Sequence, residues 1–150
     1  MNNQLRINNR GLLALTAFVI IATAAALLAP ALFAADSSGA AAADLDGSRW
    51  NLVSLNGQPL LAGSAITAEF SDGKVGGSAG VNNYFASFTL ESGVLAIGPA
   101  GATRMMGPEE VMSQEMAYLS ALGSASSAQF DGANLLITYA EGTLTFSPAG

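Results

Sequence analysis

Residues 76–88 read GGSAGVNNYFASF. A segment so rich in glycine, asparagine and aromatics admits three readings: a phosphate-cradling loop, an active site, or the backbone machinery of a small β-protein. The first fails on its own terms. GKVGGSAG, residues 73–80, lacks the Gly-Lys-Ser/Thr end of a P-loop, and no helical pattern follows it. No G-x-G-x-x-G is present either. What does follow is alternation: Tyr84, Ala86, Phe88 and Leu90 on one side, Phe85, Ser87 and Thr89 on the other, the period of a half-buried strand. Glycines inside strands mark bulges, bends or close approach of another backbone, and a small barrel needs such bends to close. Gly76, Gly77 and Gly80 therefore read as structural.

The flanking sequence extends the same pattern. Residues 49–56, RWNLVSLN, suit a strand ended by Asn56-Gly57. In 65–70, AITAEF, Ile66, Ala68 and Phe70 share one face and Thr67 and Glu69 the other. Ser71-Asp72-Gly73-Lys74 reads as a tight hairpin, because Asp-Gly suits the positive φ of a type I′ turn. Glu91-Ser92-Gly93 turns the chain into VLAI. Near the end, residues 134–139 (NLLITY) and 143–147 (TLTFS) flank a turn at Glu141-Gly142.

One segment departs from this. GPEEVMSQEMAYLSALG, 107–123, has helical spacing, with Pro108 in a first turn that tolerates it. Glu109 and Glu110 lie at the positive end of the dipole, and Gly123 at C′. Val111, Met112, Met116, Tyr118, Leu119 and Leu122 fall on one broad face. The fold class is thus mainly β: an antiparallel sheet, curled or barrel-like, with one α-helix at about 108–122 covering an opening.

Glu115 is out of place on that helix, lying inside the apolar face. A carboxyl group there needs a partner. Backbone N–H groups, Asn82, Arg49 and Arg104 are candidates. It reads as a clasp pinning the helix to residues 80–84, the competing reading being a general acid. A two-carboxylate hydrolase would need a second acid facing the same cleft, and spacing singles none out. Asn82 reads as a turn residue able to adopt αL, with a ligand-facing amide as the alternative. Trp50, on an alternating strand, reads as core. Met105, Met106, Met112 and Met116 raise the idea of a soft-metal site, but without His or Cys they read as core filling. Lys74, after a hairpin, reads as solvated.

Composition narrows the function classes. The 150 residues contain no cysteine and no histidine, which removes disulfides, thiol nucleophiles, Cys/His zinc sites and Ser-His-Asp triads. From Asp44 onward ten acids stand against three bases, a net charge of −7, which disfavours a nucleic-acid partner. Ahead of this lies MNNQLRINNR and then GLLALTAFVIIATAAALLAPALFAA. Residues 1–35 read as a hydrophobic leader helix, either a cleaved secretory signal or a retained membrane anchor. Ala29/Ala31 and Ala41/Ala43 are the small-residue pairs for cleavage. In both cases the positive flank stays inside and residues 44–150 go outside. Residues 36–43, DSSGAAAA, read as a linker.

In their order and spacing, several residues together resemble the META domain of the HslJ-like heat-shock proteins. These are Trp50 with Leu52, Gly57, Phe70, the run Gly77-x-x-Gly80-x-Asn82-x-Tyr84, Thr103-x-Met105, Glu115, and Leu144 with Phe146. The likeness spans nearly all of 45–147. It implies a compact antiparallel β domain with one helix, extracytoplasmic, associated with stress tolerance and envelope functions. It supplies no catalytic residue, cofactor or metal, so the structural motif Trp50, Gly77, Gly80, Asn82, Tyr84, Thr103, Met105 and Glu115 is the site set. Many members carry cysteine where this chain has Val81 and Gly107, and the joint absence implies that the two positions are neighbours in space. The expected function is an extracytoplasmic, non-catalytic domain, monomeric, that binds an envelope or extracellular protein or surface component in stress tolerance or envelope maintenance. It would meet membrane only through an uncleaved leader. A small-ligand carrier and a carboxylate-based hydrolase are the alternatives.

Overall fold

Short alternating segments joined by two-residue turns determine the architecture. The structure, a computed structural model, describes residue 40 and residues 42–150, so the leader lies outside the described residues. A single helical turn α1 (Ala42–Leu45) leads into β1 (Arg49–Leu55), β2 (Gln58–Pro59), β3 (Thr67–Ser71), β4 (Lys74–Ser78) and β5 (Asn83–Glu91). Then come β6 (Val94–Ile97), β7 (Gly101–Ala102), helix α2 (Glu109–Gly123), β8 (Ala125–Asp131), β9 (Asn134–Tyr139) and β10 (Gly142–Pro148). Antiparallel pairing runs β1-β3-β4-β5-β6-β8-β9-β10, and β10 returns to β1 with Leu52 opposite Phe146. The sheet is a closed eight-stranded barrel, with β2 and β7 as short additions to β1 and β5. Closure leaves the eight strands no free edge.

The expected turns are built as their residues demand. Asp72 (φ 51°) and Gly73 (φ 71°) connect β3 to β4, with Ser71 opposite Lys74. Ser92 (φ 50°) and Gly93 (φ 82°) do the same between β5 and β6. Positive φ at both central residues matches the right-handed strand twist. The last hairpin differs from expectation by one residue. Its turn is Ala140-Glu141, and Gly142 is already paired with Tyr139. A glycine suits this paired position, where a Cβ would press on the Asn56 side-chain oxygen. That oxygen accepts from Thr143 N–H and the Tyr139 hydroxyl, tying the Asn56-Gly57 turn to β9 and β10.

Strand β5 shows strict alternation of exposed and buried residues from Asn83 to Glu91. Its inward set, Tyr84, Ala86, Phe88 and Leu90, meets Phe70, Val75, Leu95, Leu135, Ile137, Leu144 and Phe146 in the barrel interior. Phe70 and Phe88 pack edge to face at 5.1 Å. Helix α2 lies across the barrel end that carries the Asn56-Gly57 and Ala140-Glu141 turns, and inserts Tyr118, Ala121 and Leu122. Tyr118 stacks edge to face on Tyr84 at 5.5 Å and on Phe146 at 6.5 Å. At the other end Leu45 of α1 is fully buried. The seam between β6 and β8 is the thinnest, with Val94 and Ser127 as its ladder pair. Ala40 seals it: its N–H donates to Ala128 O and its carbonyl accepts from Gly93 N–H.

Other expectations are corrected. Pro108 is the N-cap (φ −56°, ψ 136°), one position ahead of the helix. Gly123 is the last helical residue and not a left-handed C′, because Ser124 closes the helix by donating its N–H and hydroxyl to Ser120 O. Met116 faces solvent at 70 % exposure, and Met105 and Met106 are exposed at 53 % and 91 %, so these three do not fill the core. Trp50 is buried, its ring 6.0 Å from Phe130.

Close backbone approach is concentrated at Gly77, where a Cβ would lie 2.4 Å from Thr67 O. Gly77→Ala is expected to cost about 3 kcal/mol through overpacking against unyielding backbone. Gly123→Ala, with nothing within 4 Å of the new methyl, should raise stability by about 0.5 kcal/mol. Chemical denaturation of the pair checks both signs; equal midpoints would contradict the steric account.

Candidate functional site: a polar clasp under the helix

Strands β4 and β5 continue their register into the turn, where Ala79 N–H donates to Asn82 O at 2.7 Å. A hydrogen-bonded antiparallel pair exchanges both bonds. Here the reciprocal donor, Asn82 N–H, points instead at α2. Glu115 Oε2 accepts it at 2.8 Å and accepts Val81 N–H at 3.0 Å, while Oε1 accepts the Asn82 side-chain amide at 2.8 Å. Gly80 (φ +127°) makes room for the approach, since a Cβ there would lie 3.3 Å from Val111 on the helix.

Asn82 carries the connection onward. Its Oδ1 accepts from Met105 N–H at 2.6 Å and from the Thr103 hydroxyl at 2.8 Å, and its amide also donates to Met105 O at 3.3 Å. Thr103 and Asn83 bond in both directions, Thr103 N–H to Asn83 O at 2.9 Å and Asn83 N–H to Thr103 Oγ1 at 3.1 Å. One buried carboxyl group and one buried amide thus join the β4–β5 turn, the strand leading to the helix and the helix itself. Asn82 is not in the left-handed region; it works by side-chain reach. Neither arginine takes part in the clasp bonds: Arg49 pairs with Glu69 at 3.1 Å on the surface, and Arg104 is exposed.

One layer deeper, the Tyr118 hydroxyl donates to the Tyr84 oxygen at 2.6 Å, and the Tyr84 hydroxyl donates to Thr67 O at 3.0 Å. Thr67 O is the atom that Gly77 clears, so the glycine and the tyrosine pair form one arrangement. Burial pushes the Tyr84 hydroxyl up to about 12 from an ordinary 10. Burial first, and then the neighbouring Tyr84, raises Tyr118 as well.

The structure therefore brings together Gly77, Gly80, Asn82, Tyr84, Thr103, Met105 and Glu115. Trp50 serves elsewhere, its indole donating to Ser48 Oγ at 2.7 Å. Thr67, the Tyr118 hydroxyl and Asn56 were not foreseen. Their partners are distant in sequence, and only the Asn-Gly turn hinted at Asn56. The expectation for the two cysteine positions of relatives holds: a Cβ on Gly107 would lie 3.3 Å from Val81 Cβ, close to disulfide spacing. Among the described residues no group of three or more His, Cys, Asp or Glu is arranged to hold a metal.

Comparison with known proteins agrees with this geometry. The META domain family model matches residues 43–150. The chain belongs to the META-domain family. An NMR structure with 22% identity superposes at a TM-score of 0.61, covering 72% of this chain and 94% of that chain. An NMR structure of a protein from Burkholderia xenovorans, 27% identical, superposes at 0.58, covering 72% of this chain and 86% of the other. No curated protein matches. In this META domain the polar atoms of Glu115 and Asn82 are engaged by protein partners, so the arrangement clamps structure; a second acid facing Glu115 is not among those partners.

Two outcomes test the clasp. Glu115→Ala strands Val81 N–H, Asn82 N–H and the Asn82 amide, and should cost about 2–4 kcal/mol, against about 1–2 kcal/mol for Glu115→Gln, which keeps an acceptor. Full stability in the alanine variant would refute it. For the tyrosines, the unfolded chain loses its phenolic protons from about pH 10 while the folded one retains them, so stability present below pH 10 falls as pH rises towards 12. The thermal midpoint should drop across that window, less steeply in Tyr118→Phe. At pH 7, Tyr84→Phe should cost about 1–3 kcal/mol because it leaves the Tyr118 hydroxyl buried and unpaired.

Proposed function

We propose that this META-domain protein is an extracytoplasmic, non-catalytic component of stress tolerance or envelope maintenance that acts by binding a protein or a surface component. The observation that supports binding over catalysis is the clasp: the one buried carboxyl group of the family motif is consumed in holding α2 to the barrel rim. The leader, with Arg6 and Arg10 ahead of a long apolar run, supports the compartment. The interior is occupied by Tyr118, Phe70 and Phe146, which weighs against a ligand carrier. The outer face offers more. An open groove of about 370 Å³ runs along β3 to β5 over Gly76 and Gly77, bounded by Glu69, Lys74 and Phe85. Phe85 stands 69 % exposed beside it. A smaller groove at Arg49, Trp50 and Thr67 adjoins it through Glu69 and Gly77.

The expected result is that a deletion strain is sensitised to heat or envelope stress, that the full chain restores tolerance, and that residues 36–150, which lack the leader but keep Ala40, do not. Cross-linking in the native envelope should recover a partner through this face. Fractionation of the full chain into the cytoplasm would overturn the compartment. A hydrolytic activity lost in a stable Glu115→Gln variant would overturn the non-catalytic reading.

A further inference from the structure

Apart from Met1, every methionine of this chain lies between residues 105 and 116. Core packing does not account for them. Met106 is 91 % exposed, Met116 70 % and Met105 53 %, and Met112 is half-buried. Exposed large apolar side chains gathered in one place call for a role. Backbone spacing puts two of the methionines on one helix face and a third beside the first of them. Met112 and Met116 are spaced i, i+4 on α2, which puts their Cβ atoms about 5–6 Å apart on one helix face. The segment before the helix folds back on the same face, because Gly107 N–H donates to Met112 Sδ at 3.3 Å. Met106 is the residue bonded to Gly107, and its unbranched side chain is solvated and free to turn.

We propose that Met106, Met112 and Met116 form a thioether site for a soft monovalent cation, Cu(I) or its analogue Ag(I). Thioether sulfur is neutral and polarisable, and selects Cu(I) over Zn(II), Mg(II) or Ca(II). Three such ligands provide a trigonal set. The bond from Gly107 occupies one lone pair of Met112 sulfur and orients the other. Glu109, one turn before Met112, offsets the positive end of the helix dipole, and the acidic balance of the barrel draws a cation. Because thioethers carry no proton to displace, affinity is insensitive to pH where carboxylate or imidazole sites are not. The clasp holds the frame: Met105 is fixed through its backbone to Asn82, and α2 through Glu115, so Met106 and Met112 are kept within reach of each other.

The test is a titration of the full chain, in detergent, with Ag(I) and with ascorbate-reduced Cu(I), following the methionine methyl resonances. One equivalent should shift Met106, Met112 and Met116 and leave Met1 in place, equally at pH 5.5 and pH 7.5, with Zn(II) producing no methionine shift. Met112→Leu and Met116→Leu should each weaken binding by roughly tenfold or more while keeping the thermal midpoint, since both preserve the apolar volume. Absent methionine shifts at micromolar Ag(I), or shifts unaffected by both leucine variants, would overturn the site. So would binding that fails below pH 6, which would assign the cation to Glu109 and Glu110. If an envelope protein bound this face in a metal-independent way while the cation did not, the methionines would be a protein contact and the proposal would fall.

Discussion

A closed barrel of short strands needs an end-plate, and an end-plate needs something stronger than apolar contact to fix its position. In this chain that is Glu115. Its carboxyl group accepts three hydrogen bonds from Val81 and Asn82, donors left over by a two-residue turn. A buried carboxyl group is costly without such partners, and buried N–H groups are costly without an acceptor. Each side therefore cancels the other's penalty, and the pair is satisfied in one placement of the helix. Sliding α2 by one residue would strand both.

That constraint passes through the structure by contact. Once the helix is set, Tyr118 enters the barrel, and its hydroxyl meets Tyr84, whose own proton goes to Thr67 O. The oxygen of Thr67 is reachable because Gly77 has no side chain in the way. Gly80 performs the same service for Val111. The glycines that open the run GGSAG are thus not generic turn formers. They are places where helix, hydroxyl or neighbouring strand comes closer to backbone than a methyl group allows.

How far the sequence discloses this depends on the range of the interaction. Asp72-Gly73 and Ser92-Gly93 are local, and their turns are legible. The alternation of β5 is local and legible as well. Glu115 is conspicuous because a helical wheel places it among apolar residues, so a clasp could be inferred; that Thr103 and Met105 complete it through Asn82 depends on residues some twenty positions away, beyond any periodicity, and the family resemblance marked these two residues without saying what they bond. Strand β8 was missed because ASSAQFD buries little beyond Ala128 and carries no clean alternation. The methionines misled for a different reason: Met112 and Met116 at helical spacing look the same whether the stripe faces a core or solvent, and only the rotation of the helix, set by Glu115, decides.

The barrel's thinnest seam shows that its boundary is not where composition changes. Residues 36–43 have the small, featureless character of a linker, and the family match begins at residue 43. Yet Ala40 stands between Gly93 and Ala128, accepting from Gly93 N–H and donating to Ala128 O, while Ala128 N–H closes the ring by donating to Gly93 O. All three are buried. Removing Ala40 would leave a buried N–H on Gly93 and a buried carbonyl on Ala128 without their partners, the same kind of deficit that Glu115 repairs at the opposite end. A small side chain is what such a position admits, and an alanine-rich stretch is therefore suited both to a flexible connection and to filling a slot between strands. The two ends of the barrel obey one rule: where the ladder cannot complete its own hydrogen bonds, a residue from outside the sheet completes them, a carboxyl group at one end and a peptide group at the other.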